Sequence, residues 1–264
     1  MMDSTSPHVP QPEKPTVLEI NLETKFGKLR GTIPVPSQGM QLSEFAFNSL
    51  ALDERLINMA VASEAKAGRN VSCQKGCGAC CRQAVPVSPA EAWMLADLVQ
   101  SFPEEKKAKV LARFTQAMEK LAEHGFGDRS LNSKATDQEI LNLGLDYFRL
   151  QIPCPFLEDE SCSIHPYRPS SCREYLVSSA PANCSNPGEG KLEPIPLATS
   201  LTEALSKLCA MIMGTEPQVI PMTLALQWAA EKKEEGKQKY DAMLLFTALV
   251  EILSAPKQNN SSPD

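Results

Sequence analysis

Residues 73–81 read Cys73-Gln74-Lys75-Gly76-Cys77-Gly78-Ala79-Cys80-Cys81 and hold four of the nine cysteines of the chain. In a helix, positions i, i+4, i+7 and i+8 would share one face. Gly76 and Gly78 argue against that, since each costs about 1 kcal/mol relative to alanine in a helix and lets the backbone turn closely enough for amides to point at sulfur. The stretch therefore reads as a tight ligand loop leading into a helical turn. A second stretch runs from Cys154-Pro155-Phe156-Leu157 through Cys162-Ser163-Ile164-His165-Pro166-Tyr167-Arg168-Pro169 to Cys172-Arg173-Glu174-Tyr175 and supplies three more thiols. Prolines 153, 155, 166, 169, 181, 187, 194 and 196 exclude a continuous helix between Ile152 and about Pro196. So long an irregular run is uncommon in a compact domain unless it is functional, and a bound metal could supply the order that backbone pairing does not.

Outside these loops the pattern is helical from Leu42 onward. Ser88-Pro89-Ala90-Glu91, Thr136-Asp137-Gln138-Glu139 and Ser200-Leu201-Thr202-Glu203 each read as a reciprocal N-cap, in which a hydroxyl and an acid three residues later satisfy free amides. After Pro103, Val110, Phe114, Ala117, Met118 and Leu121 fall on one face of a surface helix. Two further stripes are predicted: Leu201, Ala204, Leu205, Leu208 and Ile212, and Tyr240, Met243, Leu244, Thr247 and Val250. Between Val17 and Val35, alternating Leu18, Ile20 and Leu22, a turn near Gly27, then Leu29 and Ile33 fit a short β-hairpin, expected to be the only sheet. The fold class is mainly α: one helical domain over residues 16–255, with an N-terminal β-hairpin and an irregular, proline-rich cysteine loop docked by metal. It contains the cysteine-cluster region 73–173. Residues 1–15, with four prolines and few large apolar side chains, and residues 256–264 read as disordered tails.

The charge balance, 26 Lys+Arg against 32 Asp+Glu, is −6 and gives no footprint for nucleic acid or anionic lipid. The longest apolar stretch, roughly Ala242 to Val250, is interrupted by Thr247 and falls short of the ~18 to 20 residues of a bilayer span. The opening residues lack the pattern of a secretory signal, so a cytoplasmic location is expected. In a reducing compartment, an odd number of clustered cysteines, two of them adjacent, argues for metal ligation or redox chemistry ahead of disulfides.

The joint pattern of Cys73-x3-Cys77-x2-Cys80-Cys81, Cys154-Pro155-Phe156-Leu157, Cys162-Ser163-Ile164-His165-Pro166-Tyr167-Arg168-Pro169 and Cys172-Arg173 resembles the YkgJ-like cysteine-cluster proteins, the zinc- or iron-chelating CxxCxxCC family. The resemblance implies a transition-metal site and leaves its purpose open. The expected ligands are drawn from Cys73, Cys77, Cys80, Cys81, Cys154, Cys162 and Cys172, with His165 and Cys184 as further candidates. Seven thiols exceed the four of a closed zinc site or a simple iron–sulfur cluster. Three arrangements are open: one four-ligand site with spare thiols, a two-metal site, or a cluster with resolving cysteines nearby. Four thiolates around a divalent ion leave a net charge of −2, which Lys75, Arg82, Arg168 or Arg173 could offset; each could equally be a solvated or loop-bracing cation.

The expected function is therefore transition-metal binding, with zinc, iron or an iron–sulfur cluster as the cofactor. Thiolates suit each of these; the metal ion is the expected partner, and a protein partner is left open. The alternative is an iron–sulfur enzyme. Cys73-x3-Cys77-x2-Cys80 matches the cluster spacing of radical S-adenosylmethionine enzymes, although Ala79 stands where those enzymes carry an aromatic residue and few strands are predicted for a β/α barrel. Flagellin lysine N-methylases carry a similar cluster, so a protein lysine methylase-like activity is a second enzymatic option, by analogy. With His8 in the tail, only His124 and His165 could serve histidine-based catalysis, and there is no phosphate-binding or dinucleotide glycine pattern. Cys209, Trp93 and Trp228 fit apolar helix faces and read as core.

Overall fold

The computed structural model describes residues 16–74, 76–126, 136–187 and 192–255; the two expected tails lie outside this range. The chain is mainly α-helical, with nine α-helices among the described residues.

Strands β1 (Thr16–Thr24) and β2 (Gly27–Val35) form the predicted antiparallel hairpin, with Leu22 opposite Leu29 and Thr16 opposite Val35. Alternation decides which side is buried. Ile20, Leu22, Leu29 and Val35 turn inward onto α1 (Leu42–Lys66), α6 (Leu201–Met213) and α9 (Ala242–Ser254), and together they form the first core.

The hairpin is not the only sheet. Three two-residue antiparallel ladders also form: β3 (Met40–Gln41) with β8 (Lys239–Tyr240), β4 (Pro86–Val87) with β7 (Ile220–Pro221), and β5 (Leu157–Glu158) with β6 (Ser161–Cys162). Segments of two residues carry no readable alternation; distant parts of the chain meet there only because helices bring them together. Every pairing of these strands is antiparallel, so no β/α barrel is present among the described residues.

Helix α2 (Pro89–Gln100) is the wedge between two cores. Ala90, Trp93 and Met94 face the first, whereas Ala92, Leu95 and Val99 face a second core built with α3 (Glu104–Glu123), Phe156, Ile164 and Ile220. A third, smaller cluster joins Ala117 and Leu121 of α3 to Tyr147 of α4 (Asp137–Arg149) and to Ile152. Two short helices, α7 (Ala225–Glu231) and α8 (Lys233–Gly236), follow β7, and Trp228 packs against Trp93 with the rings tilted and their centroids 5.0 Å apart.

The caps at Ser88 and Thr136 form as expected: in each the backbone N–H and hydroxyl donate to the acid three residues on. The cap at Ser200 is only half formed. Its hydroxyl accepts from the Glu203 N–H at 3.3 Å, but it donates to Glu174 at 2.9 Å rather than engaging the Glu203 carboxylate.

The predicted stripe in the last helix is also corrected. The buried face of α9 is Ala242, Leu245, Phe246, Leu249 and Leu253, while Leu244 is 70% exposed and Tyr240 lies in β8. The helix is apolar nearly all round, so periodicity alone cannot set its phase; packing against α6 and β1 selects the buried face, and the Asp241 cap, accepting from the Leu244 N–H at 2.9 Å, sets where the helix begins. In α3 the predicted face is observed, with Val110, Phe114, Ala117 and Leu121 buried. Cys209 is buried in the first core, as expected. Among the described residues no helix is long and apolar enough to cross a membrane.

Candidate metal centre

Each cysteine loop is positioned by contacts that the local sequence supplies. Cys73 and Cys77 sit in an open loop, and Cys80 and Cys81 follow in a 3-10 turn over Ala79–Arg82, matching the loop-then-turn reading. The loop is stitched to the second cluster at three points. The Cys154 N–H donates to the Cys81 carbonyl at 2.7 Å, Arg82 grips Glu160 with both guanidinium ends at 2.6 and 3.1 Å, and the Ser72 N–H donates to Val177 at 2.9 Å.

The β5–β6 hairpin leaves no room for a side chain at residue 78. A Cβ there would lie 2.5 Å from Glu160 Oε2, 2.9 Å from a Leu157 methyl and 3.2 Å from the Glu160 carbonyl. Since φ of Gly78 is −94°, alanine would fit the backbone, and the cost is purely one of space. Gly78→Ala is expected to destabilise the protein by about 1–3 kcal/mol through overpacking. Urea unfolding midpoints check this, and an unchanged midpoint would refute the close approach.

The second cluster is anchored by packing as well as by its thiols. Phe156 and Ile164 are fully buried in the second core, Phe156 lying edge-on to Phe114 at 5.4 Å. Arg113 donates to the Pro155 carbonyl at 3.0 Å and to Glu158 at 2.9 Å.

Cys172 rides on the short helix α5 (Ser170–Glu174), held by a fully buried carboxylate. Glu91 Oε2 accepts from the N–H and hydroxyl of Ser88 at 2.8 Å each, and Oε1 accepts from the N–H and hydroxyl of Ser170 at 2.7 and 2.5 Å. One side chain thus caps two helices. Thr202 adds hydroxyl contacts to Ser170 and Ser171 at 2.6 and 2.7 Å.

All seven predicted cysteines line a single cavity of about 140 Å³, and Cys184 makes eight of the nine. His165 also lines it. Cys209 lies elsewhere, in the first core. Buried Met222, which the sequence did not single out, also borders the cavity, with its Sδ 3.5 Å from Cys154 Sγ. The backbone explains this placement: β7 pairs with β4, and the Met222 N–H donates to the Val85 carbonyl at 2.8 Å. No local signal marks such a residue, because its partner is 137 positions away in sequence.

The thiols are held mostly in the neutral form. Burial pushes Cys154 up to about 12 and Cys172 well above the ordinary thiol range, and it also raises Cys73, Cys162 and Cys184. Cys80 is the exception: its neighbour Cys81 donates a hydrogen bond to it, which lowers Cys80 to about 7 and raises Cys81. Metal entering such a cavity must displace protons. Among the described residues, no three His, Cys, Asp or Glu side chains already form a group able to hold an ion. The cavity therefore offers the donor chemistry of a thiolate centre without being closed on one ion.

The cations beside the clusters divide by role. Arg82 is committed to Glu160 and to the Gly78 carbonyl, and Arg173 braces its loop by donating to the Arg168 and Pro166 carbonyls at 2.9 and 2.5 Å. Lys75 lies outside the described residues. Arg168 lines the cavity.

Behind α5 lies a second buried polar pair that the sequence reading did not identify. Asp53 of α1 is 2% exposed, donates its proton to Glu174 and leaves Oδ2 without a partner. Burial, then repulsion from Glu174 and Glu91, lifts Asp53 to about 9, and burial lifts Glu174 to about 7. From the ordinary carboxylate range up to about 9 the folded chain keeps a proton on Asp53 that the unfolded chain has released, so stability falls as pH rises through that window. Asp53→Asn keeps a donor toward Glu174 and removes the ionisation. It is expected to be more stable than the native protein at pH 8.5 by on the order of 2 kcal/mol, with little difference at pH 5. Denaturation at the two pH values tests this; parallel pH profiles would refute it.

A family match fits this architecture. Residues 72–193 match the family model CxxCxxCC, described as "Putative zinc- or iron-chelating domain". That stretch is similar to the CxxCxxCC family over a little under half of the chain. The matched stretch contains both cysteine clusters, Cys184 and the whole β5–β6 hairpin, while Met222 and Asp53 lie outside it. No curated protein and no solved structure matches the chain.

Proposed function

We propose that the chain is a transition-metal-binding protein whose CxxCxxCC domain holds zinc or iron on thiolates drawn from both cysteine clusters. The observation that carries this reading is the convergence of eight thiols, from segments about 110 residues apart at their extremes, on one cavity. Eight is twice the set that a closed zinc site or a simple iron–sulfur cluster requires, so the wall can serve more than one ion. Cys73, Cys77, Cys80 and Cys81 would be contributed by the first loop, and Cys154, Cys162 and Cys172 by the second. His165 and Cys184 stand beside them. The metal would bind as the thiols release their protons, tying the two loops together. The role is binding, storage or structural support.

The test is metal and acid-labile sulfide analysis, with an ultraviolet–visible spectrum, on protein purified without oxygen or added metal. Zinc without sulfide supports a structural or storage centre, and iron with near-equal sulfide supports an iron–sulfur centre. Absence of metal, both as purified and after anaerobic reconstitution, overturns the reading.

A further inference from the structure

The cavity wall is chemically lopsided. Among the described residues that line it there is no carboxylate and no lysine, and Arg168 is the sole permanent cation facing eight sulfurs. Its neighbours cannot take its place: Arg82 is engaged by Glu160, and Arg173 is turned into the backbone of its own loop. Arg168, in contrast, keeps a buried Nε with no hydrogen-bond partner. A guanidinium carries its donors in a fixed plane, and leaving one dry and unpaired costs about 1–3 kcal/mol, more for a charged group. Such a donor is retained where something absent from the bare chain accepts from it.

The reach of the charge agrees with this placement. The positive field of Arg168 acts on Cys73 and Cys80 of the first cluster and on Cys162 and Cys172 of the second. It thus straddles the two loops that a bound metal would join. The anion it meets is built in. Four thiolates on a divalent ion carry a surplus of two negative charges, and sulfur lone pairs turned away from the metal accept hydrogen bonds.

We infer that Arg168 donates its Nε–H to the sulfur shell of the bound metal and supplies the charge that offsets the thiolates. It is a positioning and charge-compensating residue rather than a ligand. This inference rests on the metal-binding reading above. The Arg168 backbone carbonyl has a separate structural task, accepting from Arg173 Nε at 2.9 Å, which side-chain replacement leaves in place.

The test uses the full chain reconstituted anaerobically with cobalt(II), whose sulfur-to-metal charge-transfer bands report the electron richness of the thiolates, followed by competition with zinc. A hydrogen bond from a cation holds sulfur lone-pair electrons down. Arg168→Gln is therefore expected to move the band to lower energy and to weaken zinc binding at least tenfold. Arg168→Lys keeps the charge but loses the planar donor, so its band moves the same way by less, and its zinc affinity lies between those of the other two proteins.

Far-ultraviolet circular dichroism establishes that each variant is folded, and the lysine variant stands in if glutamine is not tolerated. A folded variant with the wild-type band position and zinc affinity overturns the role of Arg168 and leaves metal binding intact. A wild-type protein that takes up no cobalt overturns the metal-binding reading, and this inference with it.

Discussion

Serine at Cys80 and at Cys154, one from each cluster, is expected to weaken zinc binding by roughly a hundredfold per site, and the double variant to bind no zinc in competition with a moderate chelator. The magnitude follows from the ~10–16 kcal/mol with which structural zinc is held. Divided among four ligands this is about 3 kcal/mol each, or roughly two powers of ten. Cys80 carries the lowered thiol, poised by Cys81 and Arg168, so it is the first to become a thiolate as metal approaches. Cys154 is its counterpart across the cavity, tied by its own N–H to the Cys81 carbonyl at 2.7 Å. The control is Cys209→Ser, since that thiol is buried in the first core and lies off the cavity. Loss confined to one cluster's variant would show that a single loop holds the metal and that the two clusters are independent.

The second large effect is on folding. Glu91→Ala is expected to lower stability by on the order of 3 kcal/mol, because four donors converge on one carboxylate at 2.5–2.8 Å in a site closed to water. Glu91→Gln should fare little better. A carboxamide presents one acceptor and one donor, so whichever way it turns, its NH₂ meets either the N–H of Ser88 or the N–H of Ser170. With α5 released from α2, Cys172 loses its fixed place, and metal affinity is expected to fall in the same variants even though Glu91 does not line the cavity. Unfolding midpoints and zinc competition measured together check this; full stability in the glutamine variant would overturn the account of one carboxylate capping two helices.

Glu91 also shows how far local patterns reach. Ser88-Pro89-Ala90-Glu91 is legible as a cap because both members sit within one turn, and that half of the arrangement is present. The other half, hydrogen bonds that Glu91 accepts from Ser170, 79 positions downstream, has no periodic or compositional trace. The hairpin over residues 16–35 and the buried face of α3 were readable for the same reason, as alternation and helical spacing are local consequences of burial. The face of α9 was not, because apolar residues on every side erase the phase.

The cysteines were marked by spacing and by the motif they share. Their meeting in one cavity depends on α2 and α3, which fold back between the clusters. Cys184 lay just beyond the motif and Met222 well beyond it, and only the ladder between β4 and β7 shows why Met222 borders the same cavity.

That ladder bears on modularity. The matched domain ends at residue 193, yet Ile220 and Met222 supply part of the wall and core on which its cysteines rest, and α1, α6 and α7 cover the faces of α2. Excised on its own, the 72–193 segment would expose the sides of α2 to water and leave the cavity short of one bank. The cysteine pattern is therefore portable as an inventory of ligands but not as a self-sufficient receptacle, and a transplant into another scaffold would have to bring a strand and a thioether from outside the motif.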